Sequence, residues 1–290
     1  MTAPRRRDFL RDTTGKLVAP RAQGAVQNVA DGAGAVDLPE HLLRLLGDAP
    51  HRVVWTNMVG GCTVAVGDGD GETYLKWAPR ECGIDLAAEV ERLAWAGRFI
   101  AVPRVLEAGG DEVATWFWSA SLHVNNAISP ECCARPADTA RELGRALRHL
   151  HDHLPVRECP YSWDAESRLA AVRGRVATGL LQDHDFAEWF PGLDLPGALE
   201  ELARVPTIDL VVCHGDPCAP NTLIDEFGRF VGHLDMGALG LGDRWADLAV
   251  LAWSTIWNFG EGYEQAAYEG YGVAPDDEKI RYYRLMWELR

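Results

Sequence analysis

From His214 to Asp235 the chain reads HGDPCAPNTLIDEFGRFVGHLD, and no other stretch constrains its fold as strongly. An aspartate is followed five positions later by an asparagine, and a second aspartate closes a short run of alternating apolar and polar residues. A strand leading into such a loop suits phosphoryl transfer. In that chemistry one carboxylate holds the attacking hydroxyl, while a carboxamide and another carboxylate hold the magnesium ions that neutralise charge on the transferring group. Asp216, Asn221 and Asp235 fit these three roles.

A second constellation lies upstream. The run TYLKW places Lys76 on the strand face opposite Leu75. In the next segment, IDLAAEVERLAWAGRF, Leu86, Val90 and Leu93 fall at helical spacing, and Glu89 shares their face. A carboxylate on the apolar side of a helix needs a partner, because burying an unpaired charge is costly. Lys76 is the natural one, and Glu91 faces outward.

The ordered set resembles the H-R-D-x-x-x-x-N loop and DFG aspartate of protein kinases, with Gly215 in place of Arg and LDMG as the last motif. HGD followed by GHLDMGALGLGDRWADLAV is similar to the aminoglycoside phosphotransferases, the 3'-phosphotransferases being the nearest branch. The resemblance is densest from Val211 to Ala252 and returns in YGVAPDDEKIRYYRLMWEL. It implies an α+β, two-lobed protein-kinase-like fold: a small antiparallel β-sheet lobe over residues 36–119 and a larger, mainly helical lobe over residues 120–290. It also implies a Mg²⁺-dependent enzyme that takes ATP or GTP as donor and an antibiotic as acceptor. Gly60, Gly61, Cys62 and Thr63 would fold over the donor phosphates, Lys76 would reach them with Glu89 orienting it, and Ser119, Ala120, Ser121 and Leu122 would form the hinge around the base. His214 would brace the catalytic loop, while Asp243, Arg244 and Asp247 would tie that loop to the helix below.

Departures from the family bear on the acceptor. The chain shows Trp287-Glu288-Leu289-Arg290 where relatives carry an acidic pair, and Trp253 and Trp257, four apart on one helix face, stand where several relatives are charged. An aromatic wall of Trp253, Trp257 and Trp287 suits a planar group. Glu288 remains of the acidic pair, and Asp183, Asp185 and Glu188, with Glu261 and Glu264, are the other acids available to a cationic pocket. The expectation leans to a nucleoside antibiotic of capuramycin type, with an aminoglycoside as the alternative and a non-catalytic kinase-fold binding protein as a third reading.

A formal charge of −15 argues against a nucleic-acid partner, since binding there rests on Lys and Arg neutralising phosphates. No apolar run approaches the roughly 20 residues that span a bilayer. Seven cysteines without regular spacing indicate reduced thiols and a cytoplasmic location rather than a disulfide framework. Residues 1–35, with Arg6-Arg7 but no apolar core after them, read as a flexible extension. Helices are expected at Leu38–Leu46, from Asp138 through Leu143, Leu147, Leu150 and Leu154, around Ser167–Leu181 and Leu199–Ala203, and at Asp247–Trp257 and Asp276–Leu289. Strands are expected at His51–Thr56, Val102–Leu106 and Val113–Trp118, with Gly67–Gly71 as a turn. His149, His151 and His153 are expected at the surface or its boundary.

Overall fold

The computed structural model describes residues 38–290 except Met58. The expected extension, with Arg6 and Arg7, lies outside the described residues. The elements run in the order α1 (Glu40–Leu46), β1 (His51–Thr56), β2 (Cys62–Val66), β3 (Thr73–Pro79), α2 (Leu86–Ala96), β4 (Val105–Gly110), β5 (Ala114–Ala120), β6 (Asn125–Asn126), α3 (Pro130–Cys133), α4 (Pro136–His153), α5 (Ala165–Ala177) and α6 (Leu195–Leu202). They continue with β7 (Leu210–Cys213), β8 (Thr222–Ile224), β9 (Phe230–His233), β10 (Gly240–Asp243), α7 (Arg244–Phe259), α8 (Glu264–Tyr271) and α9 (Asp277–Glu288).

The chain forms two compact units. The first takes the chain through Arg135 together with Pro220–Gly237 and Trp257–Phe259, and the second takes the remainder. Residues 220–237, expected in the helical lobe, thus pack with the first unit.

In the first unit five antiparallel strands are ordered β1-β2-β3-β5-β4. Alternation decides their faces. Cys62, Val64 and Val66 of β2 and Leu75 and Trp77 of β3 turn to one side, where Leu42 and Leu46 of α1 close the core. Lys76 turns to the other side. β4 begins later than expected and is largely exposed, because its sequence VLEAGG follows the register of β5 rather than an apolar alternation of its own. A three-stranded sheet, β6-β8-β9, completes this unit. Its edge is fastened where the His233 N–H donates to the Ala101 carbonyl at 3.2 Å.

The second unit is organised by helices. Leu143, Leu147, Leu150 and Leu154 form the buried stripe of α4 and its exit. α8, which the sequence reading missed, packs on α4 so closely that a Cβ at Gly144 would strike the Ala267 carbonyl and one at Gly270 would strike the Arg141 carbonyl. α9 packs on α6, with the Tyr282 hydroxyl donating to the Leu202 carbonyl at 2.9 Å. The antiparallel pair β7–β10 matches Cys213 to Gly240 and carries the chain into the HGD loop.

Candidate active site

In the first unit the lysine and the helical glutamate meet as expected. Lys76 Nζ donates to Glu89 Oε1 at 2.9 Å and to Oε2 at 2.8 Å, and it also contacts the Asp235 carboxylate. Burial alone would lower the pKa of Lys76, but the charges of Asp235 and Glu89 outweigh it and raise that pKa. Burial raises Glu89 in turn, and the Lys76 ammonium opposes that rise. One lysine therefore joins β3, α2 and the segment after β9.

Asp235 sits at φ 55°, in the left-handed region that few non-glycine residues adopt and that aspartate tolerates better than most. The Leu234 N–H donates to the Asn221 carbonyl at 2.8 Å, so the backbone holds the two candidate metal-ligand positions together. Trp55, Gly61, Thr63, Lys76, Ile84 and Asp235 line a cavity of about 120 Å³. Of the four loop residues expected around the phosphates, Cys62 turns its side chain into the sheet core, and burial lifts its thiol to about 11. The Asn57 side-chain carbonyl accepts from Gly61 N at 2.7 Å and from Val59 N at 3.1 Å, which shapes the β1–β2 turn around Gly60 and Gly61. Ser119 and Ala120 lie in β5, with Ser119 buried, and the Ser121 N–H that follows donates to the Glu72 carbonyl at 3.4 Å. Leu122 contributes to the packing beside Gly232.

In the second unit Asp247 organises the HGD loop. Its fully buried carboxylate accepts from His214 N at 2.6 Å, Gly215 N at 2.9 Å and His151 Nε2 at 3.0 Å. His151 Nδ1 lies 2.7 Å from the Tyr271 hydroxyl. Burial raises Tyr271 to about 12, and because the Asp247 carboxylate can only accept, the Nε2 proton of His151 faces it. His151 is therefore not the surface or boundary histidine expected. It stands four residues after Leu147 on the apolar stripe, and that spacing was the available signal. His151, Cys213 and Asp247 are mutually close enough to hold a metal, but the Cys213 thiol donates to the Asp243 carbonyl at 3.2 Å and burial keeps it protonated. The trio is a hydrogen-bond hub.

Gly215 has φ 85°, and a Cβ there would strike the Ala238 backbone, so glycine is required where protein kinases carry arginine. His214 is fully buried and its Nδ1 accepts from Asp216 N at 3.2 Å. Asp243 caps α7 by accepting from Trp245 N at 3.0 Å and pairs with Lys279 at 3.3 Å. Arg244 lies toward Asp209, before β7, rather than tying the catalytic loop. Among these residues the tie to that loop is Asp247.

The expected acceptor wall is different. Trp253 is 1% exposed, packed edge-on against Trp189 and covered by Arg284. Trp287 is 5% exposed and lies under the Arg290 guanidinium. Both are core side chains, because α7 and α9 turn their apolar stripes inward. Trp257, on the last turn of α7, is half-buried. Asp183 is exposed and accepts from Leu195 N at 2.6 Å, and Asp185 accepts from Gln182 N at 2.7 Å, so both acids fasten local turns. Glu288 ends α9, half-buried. Sequence reasoning missed the contact of Arg290 Nη2 with Asp216 Oδ2 at 3.5 Å.

This chain matches the model of the phosphotransferase enzyme family over residues 62–283. It is 36% identical over 240 residues to an aminoglycoside 3'-phosphotransferase of Streptomyces fradiae, covering 75% of this chain and 85% of the relative. It is 34% identical over 234 residues to streptomycin 3''-kinase of Streptomyces griseus, covering 74% and 83%. Among solved structures it is similar to an aminoglycoside-3'-phosphotransferase of type VIII, with a TM-score of 0.74 and 31% identity over 87% of this chain and 98% of that one. It is also similar to a Streptomyces rimosus aminoglycoside phosphotransferase bound to ADP and streptomycin, with a TM-score of 0.69 and 26% identity over 88% and 99%. With the HGD loop and the lysine–glutamate pair in place, the chain belongs to the phosphotransferase enzyme family, as one of its aminoglycoside phosphotransferases, antibiotic kinases of protein-kinase-like fold.

Proposed function

We propose that this chain transfers the γ-phosphate of magnesium-bound ATP or GTP to a sugar hydroxyl of an aminoglycoside. The observation that carries the reading is the Lys76 ammonium, gripped through both oxygens of Glu89 and set against Asp235. Such an arrangement presents a fixed cation to donor phosphates. The named relatives favour an aminoglycoside over a nucleoside antibiotic, and the burial of Trp253 and Trp287 removes the argument for a planar acceptor.

Asp216 orients the acceptor hydroxyl and receives its proton as the new O–P bond forms. Lys76 steadies the donor phosphates. Asn221 and Asp235 would hold magnesium: a carboxamide and a partly exposed carboxylate are the hard oxygen donors that ion takes. Bound there, it supplies charge neutralisation on the phosphates. A reducing, cytoplasmic setting is supported by seven free cysteines. Among the described residues no helix is long and apolar enough to cross a membrane.

The test is turnover with ATP or GTP against kanamycin, neomycin and streptomycin, beside Asp216→Ala and Asp235→Ala. Asp216→Ala should lose about 10²-fold or more in kcat while still binding nucleotide, and Asp235→Ala should weaken magnesium-nucleotide affinity in calorimetry. Nucleotide binding without transfer to any of these acceptors would instead favour a non-catalytic binding protein.

A further inference from the structure

Asp216 has a cation set against it. Arg290 Nη2 approaches its carboxylate at 3.5 Å, and stacking on the Trp287 ring, 3.1 Å from guanidinium to centroid, holds the arginine there. A second arginine lies in the same neighbourhood. Arg168 is 8% exposed, and its guanidinium covers Trp163 at 4.6 Å. Its Nη1 and Nη2 are buried without a hydrogen-bond partner among the described residues. Burial, then the charge of Arg290, lowers Arg168 to about 10, which registers how close the two cations are. Arg168 has the buried Asp247 as a counter-charge, and Arg284, over Trp253, has Glu264. Asp183 and Asp185 accept backbone hydrogen bonds at local turns.

A carboxylate that receives a hydroxyl proton also attracts any ammonium group near that hydroxyl. We infer that Arg290 is the acceptor-selecting residue of this enzyme: its guanidinium fills, on Asp216, the position an acceptor ammonium would take, so the ring presenting the reactive hydroxyl carries a neutral hydroxyl rather than an ammonium beside it. The inference rests on the aminoglycoside reading above. An ammonium entering there meets Arg290, with Arg168 behind it, and finds the Asp216 carboxylate already paired. A neutral polyol ring meets no such repulsion and can accept hydrogen bonds from the guanidinium.

Kanamycin B and kanamycin A form a matched pair, differing by an ammonium or a hydroxyl at the carbon next to the 3'-hydroxyl. Wild-type enzyme should show kcat/KM higher for kanamycin A by about tenfold or more, a difference of about 1.4 kcal/mol. Arg290→Gln should bring the ratio to within about threefold, chiefly by lowering KM for kanamycin B, and Arg290→Lys, which keeps the charge, should preserve the discrimination. A ratio unchanged in Arg290→Gln overturns the inference. Should neither protein phosphorylate either compound although both bind nucleotide, the aminoglycoside reading itself fails. The inference is then decided by the rate at which a water-soluble carbodiimide labels Asp216, followed by peptide mass spectrometry: several-fold faster labelling in Arg290→Gln than in wild type supports the guard, and equal rates overturn it.

Discussion

Lys76→Met and Glu89→Gln remove opposite halves of one buried contact, and the structure predicts unequal costs. Without Lys76, Glu89 loses both of its 2.9 and 2.8 Å bonds while 4% exposed. Arg92 then remains as a nearby cation, and Asp235 repels the carboxylate. Breaking such a pair from the cation side costs about 3–5 kcal/mol. Without the Glu89 charge, Lys76 keeps Asp235, and 22% of its side chain reaches solvent, so Glu89→Gln should cost about 1–2 kcal/mol.

The pH dependence separates the two variants further. Burial already raises Glu89, and removing the opposing ammonium raises it more. The folded state then binds a proton more tightly than the unfolded chain, whose carboxyl titrates near 4.5. Stability contributed by that proton is fully present below the unfolded value and is lost as pH rises through the folded value. Lys76→Met should therefore lose more stability at about pH 8 than at about pH 5.5, by roughly 1.4 kcal/mol per unit of pKa difference spanned, whereas Glu89→Gln should lose about the same at both. Urea denaturation followed by tryptophan fluorescence measures this. Equal losses in the two variants, or a Lys76→Met loss that does not grow with pH, would refute the reasoning.

Gly270→Ala forces a methyl group into the Arg141 backbone and should destabilise by about 1–3 kcal/mol or more, read as a lowered urea midpoint at unchanged m. Trp253→Ala should behave as a core truncation costing about 3–5 kcal/mol; a variant with native stability and a raised acceptor KM would return that tryptophan to the acceptor pocket. Asp164 caps α5, and its hydrogen bonds from Ser162 and the Ser167 N–H hold its carboxyl down at about 2 against an ordinary 3.8. Its contribution is present above 3.8 and disappears as pH falls toward 2, so wild type and Asp164→Ala should differ by about 1 kcal/mol at neutral pH and converge in acid unfolding.

The parts of the site that were legible in the sequence are those set by local periodicity. Alternation in TYLKW and helical spacing around Glu89 bring two charges to facing surfaces of neighbouring elements, so the Lys76 pair follows from short-range rules. The same rules identify the α4 stripe. They fail for α8, whose short buried face mixes Ala266 and Ala267 with Tyr268 and Tyr271 and is set by the close approach of helices at Gly144 and Gly270 rather than by an aliphatic stripe. They fail for Trp253 as well, since spacing shows that two tryptophans share a helix side but not which side faces inward. The contact of Arg290 with Asp216 joins residues far apart in sequence, and no local pattern announces it.

The allocation of residues 220–237 to the first unit has a consequence for synthesis. Lys76 emerges from the ribosome long before Asp235, 159 positions later, and β8 and β9 complete a sheet whose first strand was made much earlier. About a hundred residues separate Arg135 from Gly237. At roughly 5–20 residues per second, the amino-terminal part of the nascent chain waits on the order of 5–20 s with Lys76 lacking one of its two carboxylates. Truncation at residue 135 would make that interval permanent, so the first unit cannot be completed by its own contiguous stretch of chain.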